Sequence, residues 1–116
     1  MKNTIVLVPF PFDDFSATKV RPALCLTNEI GDYNHIVIAF ISSKIGTETL
    51  NSDIILKCDA NENFGLQVDS ILKLHKLVTI PKSLIKRKLG ILSNEKSTIV
   101  EEKLMELFEL KYKKQK

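Results

Sequence analysis

Short runs of apolar and β-branched residues fill the first half of the chain, at 4–8, 20–27, 35–42 and 53–57, each bounded by turn-forming residues. Runs of this length and composition predict strands. Ile36-Val37-Ile38-Ala39-Phe40-Ile41 has no polar alternation, which marks a strand covered on both faces and therefore central to its sheet. Pro9 and Pro11 have no backbone donor, so the first strand must leave its ladder near Phe10, and 13–19 forms a loop. Pro22 holds Arg21 in an extended backbone at the start of the second strand. Gly, Asn, Asp and Thr in 28–34 and 44–52 suit further loops.

From Asp69 the pattern alternates, with Ser70, Leu72 and Leu74 on one face and Asp69, Ile71, Lys73 and His75 on the other, which is the candidate functional face. Residues 77–80 continue this strand or pair with it. Pro81 then opens a short helix over 82–89, ended by Gly90 in a left-handed conformation. Ser93 caps a last helix over 94–111, with Glu95 at its positive end and Lys111, Lys113 and Lys114 toward and beyond its negative end. Val100, Leu104, Leu107 and Phe108 form one apolar stripe for packing across the sheet. Strands first and helices last predict an α+β domain, mainly β, whose short antiparallel sheet bends toward a small barrel. One domain is expected over 1–112, with 113–116 a frayed basic tail.

Composition narrows the class. With 44% apolar and 27% charged residues in 116, the chain suits a single globular domain and neither a disordered nor a fibrous one. It has no apolar run of membrane-spanning length and no leader pattern, so a soluble, cytoplasmic protein without membrane contact is expected. Cys25 and Cys58 lack CxxC spacing and neighbouring histidines, so neither a zinc site nor a needed disulfide is read. The net charge of +3 is modest, but between Ser70 and Asn94 there is no acid, only Lys73, Lys76, Lys82, Lys86, Arg87 and Lys88. That stretch suits a polyanion or, equally, a solvated helix face.

Three strand-mounted positions could act on a phosphodiester: Arg21, Ser42 with Ser43, and Lys73 with His75. RNA cleavage by its own 2′-hydroxyl needs a base, an acid and donors for the phosphorane charge. An arginine fork grips two phosphate oxygens and stays charged. A serine hydroxyl can donate to a third, and an imidazole titrates near neutrality. Each has a plainer reading: an edge ion pair for Arg21, strand-end bonding for Ser42, a partly exposed strand residue for His75, and shielding of the sheet edge for Lys73. His35 is read as structural. GxGxxG, P-loop, HExxH and GxSxG motifs are absent, and Asp13-Asp14 suits a turn better than a metal.

Taken in order, Thr4-Ile-Val-Leu-Val-Pro-Phe-Pro-Phe, Lys19-Val-Arg-Pro-Ala-Leu, Ile38-Ala-Phe-Ile-Ser-Ser-Lys and Asp69-Ser-Ile-Leu-Lys-Leu-His-Lys-Leu resemble the PemK/MazF toxin family over roughly 4–110. The resemblance implies an SH3-like barrel, a homodimer, a cognate acidic antitoxin and a metal- and cofactor-independent endoribonuclease. Such an enzyme cuts single-stranded RNA to 2′,3′-cyclic phosphate and 5′-hydroxyl ends. It maps the family's catalytic arginine onto Arg21 and its catalytic Thr/Ser onto Ser42, with Lys73 and His75 where some members carry Arg and Asp. The implied RNA contacts are Phe12, Phe15 and Lys19 in the first loop, with Ser43, Asp69, Ile71 and Lys76. Two alternatives stand beside it: a gyrase-inhibiting toxin of the related CcdB type, and an RNA-binding module without catalysis.

Overall fold

Backbone pairing arranges six strands into one antiparallel sheet: β1 (Thr4–Pro9), β2 (Val20–Cys25), β3 (His35–Ser42), β4 (Asp53–Leu56), β5 (Ser70–Pro81) and β6 (Arg87–Ile91). The spatial order is β4-β5-β3-β2-β1-β6, and the sheet curls into a half-barrel carrying one C-terminal helix, α1 (Asn94–Leu107). The computed structural model describes residues 1–9, 19–44, 46 and 49–111. The loop residues Phe12 and Phe15 and the 113–116 tail lie outside them.

Alternation along β1, β2 and β3 feeds two separate apolar layers. Ile5, Leu24, Ala39 and Ile41 join Leu72, Leu74, Phe64 and Val100 on one face, and Val6, Val8, Ala23, Cys25, Ile36, Ile38 and Phe40 form the other. β3 is thus interior to the sheet and dry on both faces, as its unbroken apolar run predicts. Each such Ile or Leu contributes about 1.5–3 kcal/mol through burial. Among the described residues, no helix is long and apolar enough to cross a membrane.

Ser93 caps α1, its hydroxyl accepting the Lys96 N–H at 3.3 Å, with Glu95 in the first turn. The helix stops short of the expected end at 111. Glu109 takes a left-handed φ of 54°, Leu110 N–H donates to the Met105 carbonyl at 2.8 Å, and Glu109 N–H to Glu106 at 3.1 Å. That closure satisfies the terminal carbonyls and turns the chain away. Phe108 is consequently exposed, outside the stripe in which Val100, Leu104 and Leu107 pack.

The expected helix over 82–89 is corrected to a single 3-10 turn, Lys82–Leu84, followed by strand β6. Without β6, β1 would be a sheet edge with unpaired backbone groups; pairing Leu7 with Arg87 and Thr4 with Ile91 satisfies it. Gly90 lies within that strand and not at a helix end. A Cβ there would collide with the backbone of Asn63 and Phe64, which crosses β6 and accepts the Ile91 N–H at 2.9 Å. Gly65, at φ +74°, is the reciprocal contact, its Cα facing the Leu89 carbonyl.

Two measurements check this packing. Gly90→Ala should lower unfolding stability by about 1–3 kcal/mol in urea, the range for overpacking a filled site; an unchanged midpoint would contradict the close crossing. Burial pushes the Cys25 thiol from 9.0 up to about 11, whereas Cys58 is exposed, with its thiol donating to the Leu66 carbonyl at 3.0 Å. A thiol reagent should therefore modify Cys58 in the native protein and Cys25 only on unfolding. Between 9.0 and about 11 the unfolded chain binds fewer protons at Cys25, so this group's contribution to stability should fall as pH rises through that window.

Candidate active site

The β2–β3 ladder ends where the sequence predicts its arginine. Its last pairs are Cys25 with Ile38, Leu24 with Ala39 and Ala23 with Phe40. Leu26 N–H donates to the Val37 carbonyl at 2.8 Å, so on the same side of the strand Pro22 would face the Ile41 carbonyl. Pro22 has no N–H to give. Beyond this point the strand ends part, with Arg21 and Ser42 at the next register across the gap.

That gap is a cleft of about 410 Å³ lined by Arg21, Pro22, Phe40, Ser42, Ser43, Lys44, Lys73 and Lys76. Arg21 and Ser42 are half-buried; Ser43, Lys44 and Lys76 are exposed. The Ser42 hydroxyl oxygen accepts the Lys44 N–H at 3.1 Å, which fixes the side chain and leaves its own hydrogen to donate into the cleft. Among the described residues neither Lys44 nor Lys76 has a carboxylate partner, so their charges act on whatever enters.

Lys73 differs. It stands opposite Asp53 in the β4–β5 ladder, and its ammonium meets Asp53 Oδ2 at 3.0 Å. The same oxygen accepts the Leu50 N–H at 3.0 Å, and the Asp53 side chain is fully buried. Oδ1 is buried without a hydrogen-bond partner among the described residues. A lysine neutralising a buried carboxylate adds little net charge to the cleft.

The expected face of Asp69, Ile71, Lys73 and His75 is corrected by an irregularity in β5. Ala39 pairs with Leu77, and an uninterrupted ladder would set Ile41 opposite His75; instead Ile41 pairs with Leu72. The extra residues reverse the facing of part of the strand. Lys73 and Lys76 therefore share the Arg21 cleft, while His75 lines a separate hollow of about 760 Å³ with Leu50, Ser52, Lys103 and Glu106. Ile71, opposite Ser42, is 1% exposed and offers no surface to a ligand. Asp69 is exposed and accepts the Cys58 N–H at 2.7 Å, so it holds a loop. Lys19 is exposed just ahead of β2. Asp53 was not singled out by the sequence; its only signal is an acid opening an otherwise apolar strand.

The model of the PemK-like, MazF-like toxins of type II toxin-antitoxin systems matches residues 2–108. The chain belongs to that family. Among solved structures it is similar to the Mycobacterium tuberculosis toxin MazF-mt6, with a TM-score of 0.73 at 22% identity over 94% of this chain and 99% of that one. It is also similar to an endoribonuclease in complex with its cognate antitoxin from a mycobacterial species, with a TM-score of 0.72 at 9% identity over 97% and 98%. At these identities the likeness is one of fold, and it places the curled sheet and C-terminal helix among the MazF toxins. No curated protein matches in sequence.

Removing the Lys73 ammonium while leaving Asp53 should destabilise this PemK/MazF toxin by about 2–4 kcal/mol, because a buried carboxylate loses its counter-ion. Lys76→Ala, an exposed change, should stay within about 0.5 kcal/mol of the parent. Urea unfolding reads both, and equal stability of the two variants would refute the buried-pair assignment.

Proposed function

We propose that the protein is a toxin endoribonuclease that cleaves single-stranded RNA by attack of the 2′-hydroxyl on the adjacent phosphate. The observation that carries this reading is the meeting of Arg21 and the oriented Ser42 hydroxyl in one cation-lined cleft of a PemK/MazF family member. Arg21 grips the non-bridging oxygens, whose charge grows as the O2′–P bond forms. Ser42 donates to one of the same oxygens. As the P–O5′ bond breaks, water gives a proton to O5′ and water takes the 2′-hydroxyl proton, while Arg21 stays charged and keeps its hydrogen bonds to the phosphorane oxygens. The products are a 2′,3′-cyclic phosphate and a 5′-hydroxyl, with no metal or cofactor in the scheme. Lys44 and Lys76 attract the RNA backbone. Lys73 positions Asp53 and the cleft wall, and His75 takes no part, because it lines a different hollow.

The working form is a cytoplasmic homodimer, with RNA crossing the cleft along the subunit boundary. An acidic segment of a cognate antitoxin would complement Arg21, Lys44 and Lys76 and block RNA entry.

Long RNA incubated with the purified protein in EDTA should yield cyclic-phosphate and 5′-hydroxyl ends. Arg21→Ala should lower kcat/KM by about 100-fold or more, as loss of a charge-stabilising donor does, and Ser42→Ala by about 10-fold. His75→Ala should stay within about twofold of the parent, a change too small to mark a lost proton-transfer group. Intact RNA would overturn the nuclease reading, and loss of cutting in the His75 variant would overturn the assignment of roles.

A further inference from the structure

The lysines of the cleft differ in what stands behind them. Lys44 and Lys76 are exposed without a carboxylate partner among the described residues, whereas the Lys73 ammonium sits 3.0 Å from Asp53 Oδ2. The Asp53 side chain is 0% exposed and that of Lys73 19%. Two other lysine pairs, Lys2 with Glu101 and Lys82 with Glu29, have both partners open to solvent, where water and salt screen the attraction. Asp53 is sheltered from that screening, so its charge acts on Lys73 at nearly full strength.

Stability does not account for this pair, because apolar residues of similar volume would serve as well or better at a buried position. Nor does geometry keep Lys73 from a ligand. An ammonium has three donors, one of which goes to Asp53, and the residue lines the cleft. What is withheld is the charge. The carboxylate is also tied from its other side, Oδ2 accepting the Leu50 N–H at 3.0 Å, and the two residues are direct partners in the β4–β5 ladder. Asp53 therefore cannot swing away from the lysine. With Oδ1 unpartnered, Lys73 is the one cation against this carboxylate among the described residues.

We infer that Asp53 is a built-in counter-ion that withholds Lys73 from a bound nucleic-acid backbone and so caps the affinity of the cleft. The inference rests on the nuclease reading for the identity of the polyanion. It adds Asp53, a positioning residue that acts through Lys73, as a determinant of binding strength.

Binding of a single-stranded DNA oligonucleotide, which has no 2′-hydroxyl to attack, tests this over a salt series. Asp53→Asn keeps the shape and an oxygen for the Lys73 and Leu50 donors but removes the charge. One further counter-ion should then be released, so the slope of log K against log salt should steepen by about 0.7. Binding should tighten by about eightfold in about 50 mM salt and by about threefold in about 200 mM. Asp53→Asn combined with Lys73→Met should return to the parental slope, and Lys76→Ala should lower it by about 0.7. A merely structural role would weaken binding at every salt concentration and leave the slope alone. An unchanged slope in folded Asp53→Asn, or a steep one retained in the double variant, overturns the inference, as does a parent that does not bind the oligonucleotide. A parent that binds it but leaves RNA intact overturns the nuclease reading alone. Should Asp53→Asn not fold, the lysine Cε–Nζ resonances of the native protein decide: on adding the oligonucleotide that of Lys76 should shift and that of Lys73 should stay, and equal shifts overturn the inference.

Discussion

Between β2 and β3 the hydrogen-bonded pairs stop at Ala23 and Phe40, because Pro22 has no N–H for the carbonyl of Ile41. Most of the site's geometry follows from that missing donor. The strand ends part without any insertion, the residue before the proline is kept extended, and the hydroxyl at the end of β3 comes to stand across from a guanidinium. Because both strands are dry on both faces deeper in the sheet, the parted ends are mounted on the most rigid portion of the molecule.

The electrostatics of the cleft depend on a second constraint. The fully buried carboxylate on β4 is neutralised by an ammonium from β5 through the direct cross-strand pairing of Asp53 with Lys73. That pairing uses up one of the cations the cleft otherwise offers. An entering anion therefore meets, beside Arg21, Lys44 and Lys76 as charges without a carboxylate partner among the described residues, and lysines of similar appearance in the sequence divide into one structural and two solvent-facing charges.

Much of this is legible in the residues alone. The strand runs, the burial of β3 on both faces and the Ser93 cap come from patterns with a direct physical cause: unbroken apolar runs, prolines and a capping hydroxyl. The facing of β5 is not legible, because its alternation is regular in sequence and is broken only by pairing with β3; one irregularity moves His75 away from the cleft and brings Lys76 into it. The stretch 82–89 misleads for a related reason. Its local preference is helical, but the open edge of β1 recruits it as a strand, and Gly90 serves a backbone crossing that no local rule announces. Asp53 escapes notice because the significance of an acid depends on what stands opposite.

The order β4-β5-β3-β2-β1-β6 also bears on when the molecule becomes complete during synthesis. β3 waits for β5 and not for its nearer neighbour β4, and β1, the first strand made, keeps an open edge until residues 87–91 arrive. Pairings so distant in sequence form late. The cleft wall carrying Lys73 and Lys76 and the far border at Arg87 thus assemble only once most of the chain has emerged, which keeps a nascent toxin unfinished while it is still tethered to the ribosome that makes it.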